Sequence, residues 1–128
     1  MRNNKLVISI SKPVREIFTF VLNPKNTQKW IDSILVEETN EWPVKKGTIY
    51  RNKSINDIWI EYKLSDFKKD EMFVMTKSDN NYHVKYTFTP VNESTTQLTY
   101  YEWVDRGELD EPFTLQVLEK LNSVLEEL

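Results

Sequence analysis

The stretch Glu111–Leu128, EPFTLQVLEKLNSVLEEL, limits the fold more than any other part of the chain. Phe113, Val117, Leu118, Leu121, Val124, Leu125 and Leu128 recur at three- and four-residue spacings, which gathers them on one side of a helix. Gln116, Glu119, Lys120, Ser123, Glu126 and Glu127 fall on the other side. Pro112 suits a first helical position, where its missing N–H is not needed. One amphipathic helix cannot bury its own apolar face, so a broad apolar surface has to receive it.

That surface is supplied upstream, where most of the chain reads as strand. Lys5–Ser11 alternates, with Leu6, Ile8 and Ile10 on one face. Pro13 opens a helical segment, Val14–Leu22, with Val14, Ile17, Phe18 and Val21 as its apolar stripe, and Asn23-Pro24 stops it. A second short helical turn, Lys25 to about Ile31, carries Trp30. Strands follow over Ile34–Asn40, Thr48–Ser54, Ile58–Ser65, Glu71–Ser78, Tyr82–Thr89 and Thr96–Val104, with a turn expected over Asp66–Asp70. Asp79-Asn80-Asn81 is a tight-hairpin signal, because Asn and Asp tolerate positive φ. Its parity puts Phe73 and Met75 on the side of Tyr82, Val84 and Tyr86.

The order is one strand, two short helices, six strands in hairpin succession and one helix. An α+β helix-grip fold accounts for it, with a curved antiparallel sheet of about seven strands wrapped around the terminal helix in a single domain over residues 1–128. At about 1.5 Å per residue that helix spans roughly 25 Å, enough to cover the sheet. A net charge of −3 without a long Lys/Arg run argues against a nucleic-acid footprint. No window is apolar enough to span a membrane and the start lacks a signal peptide's features, so a cytoplasmic location is expected. With no cysteine and one histidine, His83, the chain offers no thiol chemistry and no multi-histidine metal motif; neither cofactor nor metal is expected.

Several pieces carry a family resemblance. ISISKPVREIFTFVLNPKNTQKW resembles the opening strand, proline-started helix and following tryptophan of the START-like (SRPBCC) superfamily, nearest its polyketide cyclase/dehydratase branch. WPVKKGTIY is similar to that family's turn and glycine before the third strand, and YHVKYTFTPVNESTTQLTYYEWVD to its last hairpin. With the leucine-rich terminal helix, the resemblance covers nearly the whole chain. It implies a cavity between sheet and helix that binds lipids, sterols, polyketides or other apolar molecules, with catalysis in a minority of members. The chain departs from the pollen-allergen branch, whose glycine-rich loop is reduced to Gly47, and its terminal helix is short for the superfamily. Both departures argue against a large cavity.

On the inward parity the concave face carries Tyr62, Phe73, Met75, Tyr82, Tyr86, Phe88, Leu98 and Tyr100, with Leu118, Leu121 and Leu125 facing them from the helix. These bulky side chains either fill a core or line an apolar pocket with a few orienting hydroxyls. Glu102 depends on one loop. A five-residue connection, Val91–Thr95, sets Leu98 opposite Phe88, Tyr100 opposite Tyr86 and Glu102 opposite Val84, so that Glu102 points inward as a buried carboxylate of the kind acid–base chemistry uses. A four-residue loop instead turns Tyr101 and Trp103 inward and leaves Glu102 in water. His83 falls on the outer face, and the acidic residues Asp105, Glu108, Asp110 and Glu111 lack calcium-loop spacing.

Three functions follow from these residues. The first is binding of a small hydrophobic or amphipathic ligand by Tyr62, Phe73, Met75, Tyr82, Tyr86, Phe88, Tyr100, Glu102, Leu118, Leu121 and Leu125. The second is a cyclase- or dehydratase-type enzyme in which Glu102 and a tyrosine transfer protons. The third is a protein-interaction domain or homodimer with a filled core, using outer-face Trp59, Met72, Val74, Tyr101 and Trp103.

Overall fold

Alternation becomes sheet along most of the chain. The computed structural model describes residues 1–128, in the order β1 (Asn3–Ile10), α1 (Val14–Leu22), α2 (Pro24–Thr27), β2 (Ile34–Thr39), β3 (Ile49–Ser54), β4 (Trp59–Lys68), β5 (Met72–Lys77), β6 (Tyr82–Asn92), β7 (Thr95–Val104) and α3 (Leu115–Glu126). The seven strands form one antiparallel sheet in the order β1-β7-β6-β5-β4-β3-β2. The sheet curls into a half-barrel with α3 in its grip. Because β1 and β2 are its two edges, the α1–α2 segment has to carry the chain from one edge to the other across the concave side. No helix is long and apolar enough to cross a membrane.

One continuous core fills the curl. On α3, Leu118, Leu121 and Leu125 are fully buried, each contributing about 1.5–3 kcal/mol by transfer from water. At the other end α1 drives Phe18 edge-on into Phe67, Phe73 and Phe88, at centroid distances of 5.8, 5.9 and 5.2 Å. These contacts close that end of the half-barrel with side chains, and an enclosed space remains at the end nearer β2 and β3.

The sheet keeps the expected β6–β7 register: Val84 faces Glu102, Tyr86 faces Tyr100 and Phe88 faces Leu98. Four local readings need correction. Helix α3 starts at Leu115 with Thr114 as its N-cap, so Pro112 and Phe113 lie in the connection before it, where Glu111 takes a left-handed φ of 51°. Strand β4 begins at Trp59, leaving Ile58 exposed in the turn, and runs through the expected Asp66–Asp70 turn to Lys68 because Ser65 forms a bulge. The bulge lets both Leu64 and Phe67 face inward. Strand β6 continues through Pro90, where the pairing to β5 has already ended at Thr87 and the missing N–H breaks no ladder on that side. The second helix stops at Thr27, and turns carry the chain on to the buried Trp30.

A bulge on edge strand β2 matters most for function. Ile34 pairs with Ser54 but Val36 pairs with Lys53, so Leu35 is the extra residue. Simple alternation from Ile34 turns Glu37 outward. After the bulge Glu37 lies opposite the buried Asn52 and faces in.

Candidate functional site

A cavity of about 210 Å³ occupies the unfilled end of the half-barrel. Its walls are the inner faces of β2 to β7, the segment from Val21 to Ile34, and Phe113. Ser33 both borders the cavity and is exposed, so the space reaches the surface there. Most of the wall is aromatic or aliphatic. Phe73 stacks on Tyr86 at 4.8 Å, Tyr86 meets Tyr100 edge-on at 5.3 Å, and Tyr62 meets Tyr82 edge-on at 6.4 Å. Trp30 stands edge-on to both Tyr86 and Phe113, at 6.5 and 6.4 Å. Its indole N–H is buried with no acceptor.

The polar part of the wall centres on Glu37. Its Oε1 accepts a hydrogen bond from Thr27 Oγ1 at 2.6 Å, and its Oε2 accepts one from Asn52 Nδ2 at 3.3 Å. Thr27 arrives from α2 and Asn52 from β3, so three elements converge on one carboxylate. Burial away from water pushes the Glu37 pKa up, against the lowering effect of its two donors. No lysine, arginine or histidine borders the cavity. The Tyr50 hydroxyl donates to the Leu22 carbonyl at 2.7 Å and the Tyr82 hydroxyl to Glu102 Oε1 at 2.7 Å, while those of Tyr62 and Tyr86 form no hydrogen bond within the protein. Burial, with the negative field of Glu37 added, pushes Tyr62 up to about 12; Tyr86 is also raised, first by burial. These hydroxyls can offer hydrogen bonds but are poor proton acceptors at neutral pH.

Of the residues singled out in the sequence, Tyr62, Phe73, Met75, Tyr82, Tyr86 and Tyr100 border the cavity. Phe88, Leu118, Leu121 and Leu125 are packed into the core away from it, because α1 and α3 fill that end. Glu102 lies behind the wall. It is 1% exposed, and its Oε2 accepts from the Phe113 backbone N–H at 2.8 Å and from Asn4 Nδ2 at 2.9 Å. The same Asn4 amide donates to the Phe113 carbonyl at 2.9 Å. Glu102 thus fastens the connection before α3 to β1, β6 and β7, and through Tyr82 it steadies one ring of the cavity.

Thr27, Trp30, Glu37, Tyr50, Asn52 and Phe113 also border the cavity, with Ile31, Val84 and other small or aliphatic residues between them, and were not singled out as site residues. Tyr50 and Asn52 share a parity with Ser54, a signal that strand alternation alone could have supplied. On the convex side His83 stacks on Trp103 at 4.8 Å, Trp103 on Tyr101 at 5.2 Å, and His83 Nε2 lies 2.7 Å from Asp105 Oδ2. Trp59 is the exposed member of the outer-face set, with Arg51 over its ring at 4.7 Å. Met72, Val74, Tyr101 and Trp103 are half-buried.

Comparison with known proteins places this geometry. The family described as polyketide cyclase/dehydrase and lipid transport matches residues 1–124. Among solved structures, a START superfamily protein from Mycobacterium smegmatis superposes with a TM-score of 0.77 at 10% identity, covering 99% of each chain. A protein from Mesorhizobium loti gives 0.73 at 15% identity over 97% of this chain and 98% of its own. One from Chromobacterium violaceum gives 0.71 at 14% identity over 98% and 99%. At these identities the superpositions speak for the fold alone. No curated protein matches the sequence.

Proposed function

This chain belongs to the polyketide cyclase/dehydrase and lipid transport family, of START-like fold, and we propose that it binds a small hydrophobic or amphipathic ligand in the cavity beneath β2 and β3. The observation that carries this reading is a space of about 210 Å³ left open among otherwise tightly packed aromatic residues. A protein interior ordinarily closes such a space. An engineered apolar cavity of about 150 Å³ takes up benzene, whereas pockets for drug-sized ligands measure about 300–1,000 Å³. The cavity lies between these, so the enclosed part of the ligand has about eight to ten heavy atoms, scaled from the benzene case. Sterols and long acyl chains do not fit inside, although a longer tail can leave past Ser33.

Tyr62, Phe73, Met75, Tyr82, Tyr86 and Tyr100 supply the contacts on the sheet side, and Trp30, Ile31 and Phe113 those on the other. Proton transfer by Glu102 draws no support from the arrangement, since Tyr82, Tyr100 and Phe113 stand between it and the cavity and its oxygens already accept three hydrogen bonds.

Native mass spectrometry of freshly purified protein, followed by two-dimensional NMR titration with one- and two-ring aromatic compounds, tests the reading. The expected result is saturable shifts confined to residues of the cavity wall. Shifts scattered over the surface, or no saturable binding by any compound of this size, would remove the basis for it.

A further inference from the structure

The chemistry of the cavity wall is lopsided. Glu37 is its one acidic side chain, and no cationic side chain accompanies it. The cations nearest Glu37 along the chain are engaged elsewhere or face water: Lys29 with Asn26 Oδ1 at 2.8 Å, Lys45 with Glu41 at 3.7 Å, Arg51 with Glu38 at 3.3 Å and Lys53 with Asp57 at 2.6 Å, while Lys25 and Lys46 are exposed. Glu37 spends one hydrogen bond on each oxygen, and a carboxylate has about four lone-pair sites, so acceptor capacity remains. Around it stand tyrosine, tryptophan and phenylalanine rings, whose negative faces attract cations and whose bulk excludes water.

We propose that the cavity takes a small organic ammonium ion, with its charge against Glu37 and its hydrocarbon part among the rings, and rejects anions of the same shape. This rests on the ligand-binding reading above and narrows it to a chemical class. A buried carboxylate without a counter-ion is costly, and a ligand cation offsets that cost where the protein supplies none. An anionic ligand meets like charge with nothing to neutralise it. Aromatic enclosures with an acidic partner are a recurrent solution for ammonium groups for the same two reasons.

The pairing also fixes a pH dependence. The groups facing Glu37 are Thr27 from α2, Tyr50 and Asn52 from β3, Tyr62 from β4 and Tyr86 from β6. The three tyrosines have raised pKa values and stay neutral from acid to neutral pH. Glu37 is therefore the wall residue whose charge changes over that range. Once it is protonated the ammonium loses its counter-ion, so the preference for a cation fades as pH falls.

The experiment is a calorimetric or NMR titration of the intact protein with 2-phenylethylammonium, 2-phenylethanol and phenylacetate, which share shape and differ in charge. At neutral pH the ammonium is expected to bind roughly tenfold or more tighter than the alcohol, and phenylacetate roughly tenfold or more weaker. The ammonium-to-alcohol ratio should shrink in Glu37→Gln and, in the unmodified protein, on acidification. The second measurement needs no variant to fold. Equal affinities, a preference for phenylacetate, or a ratio that ignores both pH and Glu37→Gln overturns the proposal while leaving ligand binding in place. Failure of all three probes to bind overturns the ligand-binding reading and this inference together.

Discussion

Glu102→Ala is expected to be among the most damaging single substitutions in this protein, for structural rather than chemical reasons. The Phe113 backbone N–H and the Asn4 amide both end on Glu102 Oε2, at 2.8 and 2.9 Å, in a site that is 1% exposed. Truncation leaves both partly buried donors without that acceptor, although the Asn4 amide keeps its bond to the Phe113 carbonyl. Each such donor costs about 1–3 kcal/mol, so the pair costs about 2–6 kcal/mol. The Tyr82 hydroxyl can turn towards the cavity and is counted as free. Against a typical total of about 5–15 kcal/mol this is a large fraction. Glu102→Gln separates the two roles, because its amide oxygen keeps both donors and its NH2 can face the Tyr82 oxygen; a loss of about 1 kcal/mol is expected. Urea unfolding of the three proteins, fitted with a common m-value, reads the difference directly. Hydrogen exchange at the Phe113 amide should accelerate in the alanine variant and remain slow in the glutamine variant. Equal losses for the two variants, or a loss under about 1 kcal/mol for Glu102→Ala, would refute the fastening role.

Three further outcomes follow from the site. Glu37 has a folded pKa above its ordinary 4.5, so the folded state holds its proton longer than the unfolded state does. Its effect on stability is therefore fully favourable below that value and is lost as pH rises through the folded pKa. Glu37→Gln removes this decline, and stability curves measured from acid to neutral pH should diverge in the variant's favour; parallel curves contradict the assignment. Trp30→Phe deletes an indole N–H that has no acceptor, and the relief offsets lost packing, so stability should stay within about 1 kcal/mol of the original; Trp30→Ala should lose about 3–5 kcal/mol in the same denaturation assay. Val84→Phe projects extra volume into the cavity and should cost less than the roughly 1–3 kcal/mol usual for overpacking, while cutting the affinity of any one-ring ligand in the NMR titration.

The grip of the sheet on α3 was legible because it depends on periodicity. The Leu118, Leu121 and Leu125 stripe needs a cover, and an alternating sheet supplies one, with β1 the strand that α3 approaches most closely. The inward direction of Glu102 was one of two directions the sequence left open. The five-residue reading of Val91–Thr95 gives the observed pairing, although β6 in fact runs to Asn92 and β7 starts at Thr95, with Val91 as the extra residue of a bulge. Phe113 was misread for a related reason. It continues the apolar spacing of α3, yet Pro112 and the left-handed Glu111 keep it outside the helix, where its ring stacks on Tyr100 at 4.4 Å and its backbone is fastened to Glu102.

Glu37 was lost to something alternation cannot express. Reading two-residue periodicity outward from Ile34 sends Glu37 to solvent, and an acidic side chain on an edge strand is ordinary there. One extra residue, Leu35, reverses the parity of the remainder of β2. A bulge leaves no composition signature, because it is stabilised by the neighbouring strand and by what its downstream residues find inside. Glu37 finds Thr27 and Asn52 there. The bulge, the two donors and the inward, half-buried carboxylate thus form one device: without the bulge Asn52 has no carboxylate opposite it, and without the donors the inward Glu37 is costly to keep. Such a device adds little to packing in a space that a leucine could fill. Its place beside an open cavity is the physical reason to seek its use in the charge of the proposed ligand rather than in the stability of the fold.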